Sequence, residues 1–404
     1  MAFANGSVTL KRFFIQGQSP KQADEALVEQ LAERAMGRGG IETPDHTDVG
    51  WVSGDHILDT RFDFSRNVIA DGLHFALRID TNKPPTDLLR SYQKQNEQAM
   101  LEASGRDFLS NAERREAREQ AKSRADKESR SGAFRRMKQY PVFWDLTRNE
   151  VYLGTTGAQA AERFMLLFRE TFDLPLVPAS SGEMAARWAT TAGETRTFDD
   201  CKPAHFIKPP DGGEIEFETG NFLEGAGRDF LGTEWLTWLW YASHVESPEV
   251  LTGLGETVTV LFERSLQLEC AFKMTGQLSI TADGPTKLEE APIALASGKR
   301  PIRAGLHLAA GGEVFALSIR GDVMHLSSVQ LPQVEDVSTP RDVFNERMDK
   351  LRTLLDAING LYNVFLKRRL SGKWPLTLSA MRSWIGGQRE AKADFAGAAM
   401  TAAS

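Results

Sequence analysis

Cysteine is nearly absent: 404 residues carry two, Cys201 and Cys270. They lie far apart, lack metal-ligand spacing and sit in no local signature of a nucleophile, so a reduced compartment is the simplest inference. Long apolar runs are missing too. No stretch approaches the ~20 residues that a membrane helix requires. The N-terminal MAFANGSVTLKRFF has no basic region leading into an apolar run, so no secretory signal is expected. These absences point to a cytoplasmic protein without a membrane partner. Catalytic signatures are equally scarce. No serine occupies a G-x-S-x-G elbow. Gly154-Thr155-Thr156-Gly157 precedes a helical pattern and could cradle a phosphate. It lacks the P-loop lysine and the spacing of a dinucleotide fingerprint, however, and a hairpin exit with a helix cap explains it better. Gly225, Gly227 and Gly232 read as loop, and no internal repeat is visible.

The most informative absence is local. From Asn111 to Arg130 there is no Leu, Ile, Val, Phe, Met, Tyr or Trp, and Ala112, Ala117, Ala121 and Ala125 are the only apolar side chains. The stretch nevertheless reads as helix. Ser110 and Glu113 fit a capping box, helix-favouring Ala, Arg, Glu, Gln and Lys follow, and Gly132 is a stop. A helix with so little to bury must project, lie on a surface or meet a polar partner. Between Arg106 and Lys138 there are eleven bases and six acids, a local balance of +5 in a chain of net charge −7. Arg114, Arg118 and Lys122 recur every four residues and share one helix face. A basic projection on an acidic body suggests a polyanion site. The plainer alternative is a solvated helix laced with Glu–Arg pairs.

The hydrophobic fraction of 41% and charged fraction of 25% fit a soluble chain with ample core, and the length predicts two or three domains. Ser7 to Gln16 reads as a strand. Pro20 to Met36 has a helix-spaced stripe at Ala23, Leu27, Leu31 and Ala35. Strand patterns follow around Val49–Val52 and Leu73–Asp80. A helix begins at Pro84-Pro85-Thr86 and, after a break near Ser104-Gly105, leads into the basic helix, making a long projection. Tyr140–Leu146 and Glu150–Gly154 flank Thr147-Arg148-Asn149 as a hairpin. Thr156 and Gln159 form a second capping-box pattern. From Ala179 to Asn221 the signal weakens, and Pro203, Pro209, Pro210 and Gly212-Gly213 read as loop. Asp229 to Ala242 predicts a buried helix, Val258–Ile280 and Gly312–Leu331 antiparallel strands, and Phe344–Leu370 a long amphipathic helix. The fold class is α+β: antiparallel sheets, packed helices and a projecting charged helical arm. The predicted units are a discontinuous body (1–85 with 140–178), the arm (86–139), a Trp-containing helix and loop region (179–250), a β region (251–335), a C-terminal helix (336–385) and a disordered tail (386–404).

Two other clusters admit a functional role and an ordinary structural one. Asp45, His46, Asp48, Asp55, His56 and Asp59 could serve a metal-dependent hydrolase, but their spacing is irregular and polar loops collect Asp and His. Trp235, Trp238, Trp240 and Tyr241 could stack bases, but their leucine neighbours fit a core helix better.

Val49-Gly50-Trp51-Val52, the charged helical excursion, Ala133-Phe134-Arg135-Arg136, the hairpin with Trp144-Asp145, and LLFRETFDLPLVP (166–178) occur in an order that resembles the recombination-associated protein RdgC family. The resemblance is best over Ser7 to Pro178, with a weaker echo in the 312–331 strands and the 344–370 helix. It implies a non-enzymatic, ring-shaped homodimer without cofactor or metal. Such a ring encircles double-stranded DNA without sequence preference, limits access of the RecA recombinase and associates with the nucleoid. It also implies that Phe134, in its Ala-Phe-x-Arg setting, makes a contact where projecting helical tips meet across the ring. The basic lining of the family corresponds in kind to Arg114, Arg115, Arg118, Lys122, Arg124, Lys127, Arg130, Arg135, Arg136 and Lys138. The chain is longer than usual members, with the extra length between Ala179 and Pro301. A rival of another class is a protein-interaction scaffold whose charged arm touches no DNA.

Overall fold

The computed structural model describes residues 3–39, 41–43, 47–208, 227–253, 255–334 and 339–387. Pro44, Asp45, His46, the 209–213 loop residues, Gly225 and the tail from 388 lie outside them. The fold is α+β, built on one antiparallel sheet of fourteen strands. In chain order the elements of the first half are β1 (Val8–Ile15), α1 (Glu25–Glu33), β2 (Ile41–Thr43), β3 (Thr47–Val52), α2 (Phe64–Asn67), β4 (Val68–Ile69), β5 (Gly72–Thr81), α3 (Thr86–Ser104), α4 (Asn111–Arg130), β6 (Arg136–Asp145), β7 (Glu150–Leu153), α5 (Ala158–Phe172) and β8 (Leu176–Pro178). The second half holds α6 (Ser181–Ala192), α7 (Thr195–Asp199), α8 (Phe230–Tyr241), β9 (Glu249–Leu251), β10 (Thr257–Cys270), β11 (Leu278–Ala282), α9 (Glu290–Ala296), β12 (Lys299–Ala310), β13 (Glu313–Arg320), β14 (His325–Gln330) and α10 (Pro340–Arg369). The chain is helical again over 374–387. None of the described helices is long and apolar enough to cross a membrane.

β1 joins the two halves. Val8 and Leu10 pair with β14, while Lys11 to Phe14 pair with β7 and Phe13 to Ile15 with β8. The predicted body and β region are therefore one sheet. Side-chain alternation gives each half a face to bury. In the first half, Phe13, Trp51, Phe75 and Trp144 meet the apolar stripes of α1 and α5. Trp51 lies edge-on to Phe75 at 5.0 Å and Trp144 to Phe172 at 4.9 Å. The Trp51 indole N–H donates to Thr171 Oγ1 at 2.8 Å. Such a buried donor needs its partner.

α10 covers what remains. Thr339 caps its N-terminus, with Pro340 inside the first turn. Phe344 packs on His74 and Phe143 from the back of the first half, and Tyr362 and Phe365 reach Trp235 and Trp238 of α8. Arg352 donates to the buried Asp145 carboxylate at 2.7 Å. This helix is thus part of the shared core, not a separate unit.

Several sequence expectations change. The weak stretch after Ala179 contains α6 and α7. Its buried face uses Ser181, Gly182, Met184, Ala185 and Ala189, mostly small residues that leave little hydrophobic period. β12, unmarked in the sequence, is the central strand of the second half. Gly232 lies inside α8, not in a loop. An added Cβ there would fall 1.9 Å from the Gly321 carbonyl oxygen, so glycine permits the close approach. α5 starts from Gly157 without a side-chain cap, which removes the second capping box.

Candidate nucleic-acid interface

α3 and α4 form an antiparallel hairpin. The break at Ser104-Gly105 is a reversal: Gly105 takes a left-handed conformation and ends α3, and Ser110 opens α4 through the predicted capping box with Glu113. The Ser110 backbone N–H, its hydroxyl and Arg106 hold the Glu113 carboxyl down at about 2. The hairpin has its own small apolar cluster. Tyr92, Ala121 and Ala125 are buried with Leu88 and Leu89 against them, and Ala117 is buried as well. Alanine at every fourth position lets the two backbones approach. Polar clasps finish the seam: Asn96 Nδ2 donates to the Ala117 carbonyl at 3.1 Å, and the Tyr92 hydroxyl donates to Glu128 at 2.7 Å.

The alanine seam fixes where the charges go. One residue beyond Glu113 and the buried Ala117, Ala121, Ala125 and Ser129 come Arg114, Arg118, Lys122, Asp126 and Arg130, along one flank. One residue before come Glu116, Gln120, Arg124 and Glu128, along the other. The helix therefore has a basic flank and a mixed, more acidic one. Arg114, Arg118, Lys122, Lys127 and Arg130 are exposed and engage no acid among the described residues.

Three of the predicted bases have other work. Arg124 lies 3.9 Å over the Tyr92 ring and pairs with Glu128. Arg115 pairs with Glu119 one turn on, an exposed pair worth little. Arg135 pairs with Asp80 at 2.6 Å, alongside Arg78. Burial pushes the Asp80 carboxyl up, but these two guanidiniums more than offset it and its pKa is lowered. Arg136 and Lys138 start β6, opposite Thr81 and Ile79 of β5, and are exposed.

Phe134 is not at the far end of the arm. α4 runs back to the body, where Ser129 Oγ donates to the Asn82 carbonyl and Asn82 Nδ2 donates to the Ser129 carbonyl. Phe134 follows that clasp, half-buried at the root. The distal bend carries Phe108 instead, 79% exposed. It was legible as an aromatic between the break and the cap, had the helices been taken as a hairpin.

The competing clusters have structural roles. Asp55 and Asp59 both pair with Arg66, and among the described residues no group of three potential ligands could hold a metal. Trp235, Trp238 and Trp240 are buried. Thr155 Oγ1 accepts from the Gly157 N–H at 3.2 Å, which is ordinary turn chemistry. Comparison with protein-family models and with curated proteins finds no match for the chain.

The thin seam makes the arm separable from the body. Ala121→Glu puts a carboxylate where α4 touches α3, a desolvation cost of ~2–4 kcal/mol. Amide hydrogen exchange should rise across α3 and α4 and stay unchanged in β5, β6 and α10. Equal protection in the arm would mean that the seam does not hold it.

Proposed function

We propose that this chain is a non-catalytic, sequence-independent binder of double-stranded DNA of the RdgC type. It acts as a homodimer that closes a ring around the duplex and restricts RecA-dependent recombination at the nucleoid. The observation that carries the DNA contact is the basic flank of α4: cations in register, exposed and unpaired with acids among the described residues. Such cations release counterions from the phosphate backbone and give salt-sensitive affinity without base readout. Arg136 and Lys138 continue the exposed positive charge at the root. The ring and the RecA link rest on the family resemblance.

Two measurements test this reading. AT-rich and GC-rich duplexes of equal length should compete within a few fold of each other. A preference of about a thousandfold, the range of specific readers, would sink it. Retention on covalently closed circles tests the ring. Phe134→Ala should leave a dimer by light scattering and shorten retention on circles more than it weakens binding to a short linear duplex. If Phe108→Ala does so instead, the contact moves from the root to the end of the arm. If neither variant changes retention, there is no ring closed through the arm.

A further inference from the structure

The second half of the sheet has a face turned away from the helices. Leu306, Leu308, Phe315, Leu317, Ile319 and Leu326 point into the core with α8 and α10, so their strand neighbours point the other way. In exact register across four strands stand Gln267, Arg303, Arg320 and His325. The next row holds Gly305, Ser318 and Ser327, and the backbone of β10 closes over Gly305, where an added Cβ would fall 2.2 Å from the Glu263 carbonyl oxygen.

Three features set this face apart from an ordinary solvated one. First, Arg303 and Arg320 are direct cross-strand partners, and like charges so placed destabilise a sheet. Arg320 has a carboxylate at hand in Asp322, whereas Arg303 forms no ion pair among the described residues. Second, the face curls into a trough. β10 bulges between Phe262 and Leu266, and Arg264, in a left-handed conformation, reaches Gln330 of β14 at 3.4 Å. Third, Arg303 Nε, His307 Nε2 and His325 Nε2 are out of contact with solvent and have no hydrogen-bond partner. Buried polar atoms in that state call for an unseen partner.

We propose that this trough is an oxyanion site that takes a phosphate group, with Arg303 as its principal donor and His325 beside it. The ligand class follows from the donor set: a planar guanidinium fork next to imidazole and a second guanidinium suits phosphate oxygens. Burial and the nearby Lys11, Arg320 and Arg303 push the His325 imidazole down to about 3, so it is neutral here and free to share its Nε2. A bound dianion would reverse the local field. The site lies on the sheet of the second half, away from α4, and does not depend on the reading of the arm as a DNA contact. The phosphate comes either from a small phosphate ester or from the end of a single strand.

The experiment uses the full-length protein with inorganic phosphate as the probe and chloride at matched ionic strength as the control. Phosphate should raise the melting temperature, and the His325 ring resonance should titrate at higher pH when phosphate is present. Arg303→Gln should weaken phosphate binding by about tenfold or more, the loss expected for one charge-assisted contact, and Arg303→Lys by less. Arg303→Gln should melt no lower than the parent, because it relieves the Arg303–Arg320 repulsion, so lost binding is not lost folding. Competition by a 5′-phosphorylated single strand, but not by its hydroxyl-ended twin, assigns the group to strand ends; competition by neither assigns it to a small ester. Equal phosphate affinity in parent and Arg303→Gln, or a His325 titration indifferent to phosphate, overturns the site. Duplex binding by the same variant should be unchanged, so failure here and failure of the arm reading are told apart.

Discussion

Replacing Arg114, Arg118 and Lys122 together with alanine should weaken duplex binding by up to about a thousandfold at low salt, with the difference vanishing near 1 M salt. Each phosphate contact contributes about 0.9 to the slope of log K against log salt, so the slope should fall by up to about 2.7. The three side chains share the flank beside the alanine seam and engage no acid among the described residues, so their loss removes charge without orphaning a partner. Stability should move by less than about 0.5 kcal/mol, because the positions are exposed and alanine favours helix. The control is Glu116→Gln with Gln120→Ala on the other flank of the same helix, which should tighten binding slightly. A triple variant with the parental salt slope would return α4 to the status of a solvated helix.

How much of this interface was legible in the sequence depends on the kind of information. The start of α4 was, because a capping box is local chemistry: Ser110 and Glu113 meet across three residues. Its end was, because Gly132, at φ +82°, supplies a conformation other residues avoid. The clustering of Arg114, Arg118 and Lys122 was, because helical periodicity is fixed. The direction of the arm was not. Gly105 announces a break, but whether α4 continues outward or turns back depends on Tyr92 and Asn96 finding partners 36 and 21 residues away, respectively. Phe134 was misplaced for that reason, and Phe108 overlooked.

The same division holds in the body. α8 and α10 were visible from dense or periodic apolar residues. α6 was hidden by its small buried face, and β12 by Pro301, Arg303 and Gly305, which interrupt a strand pattern without preventing the strand. β1 read correctly as one strand. That its first residues serve β14 and its last serve β7 and β8 is long-range pairing, which no local pattern encodes. Nor did the Trp-rich helix reveal that its glutamate is among its most buried residues.

That glutamate yields the largest stability effect expected of a single substitution. Glu234 is 0% exposed in the middle of α8. One oxygen accepts from Arg369 Nε of α10 at 2.7 Å, and the other from the Ala204 backbone N–H at 2.6 Å. Arg369 goes on to the Lys202 carbonyl, and Arg300 of β12 donates to the Ala204 carbonyl. Four segments distant in sequence thus meet at one carboxylate. Burial lowers the Arg300 pKa to about 10, and Glu234 opposes that fall. Glu234→Ala removes the acid that the buried Arg369 guanidinium pairs with and should cost ~3–5 kcal/mol, the range for breaking a buried pair from one side. Denaturant unfolding should show it as a lower midpoint with the slope unchanged. Replacing both partners, Glu234→Met with Arg369→Met, should recover much of the loss, since well-packed apolar groups often equal a buried ion pair. A loss below about 1 kcal/mol for Glu234→Ala would mean that the tryptophans alone hold α8 in place. The arm keeps its own apolar cluster, so below the melting temperature the variant should retain the parental salt slope for duplex DNA, separating what folds the second half from what touches the phosphate backbone.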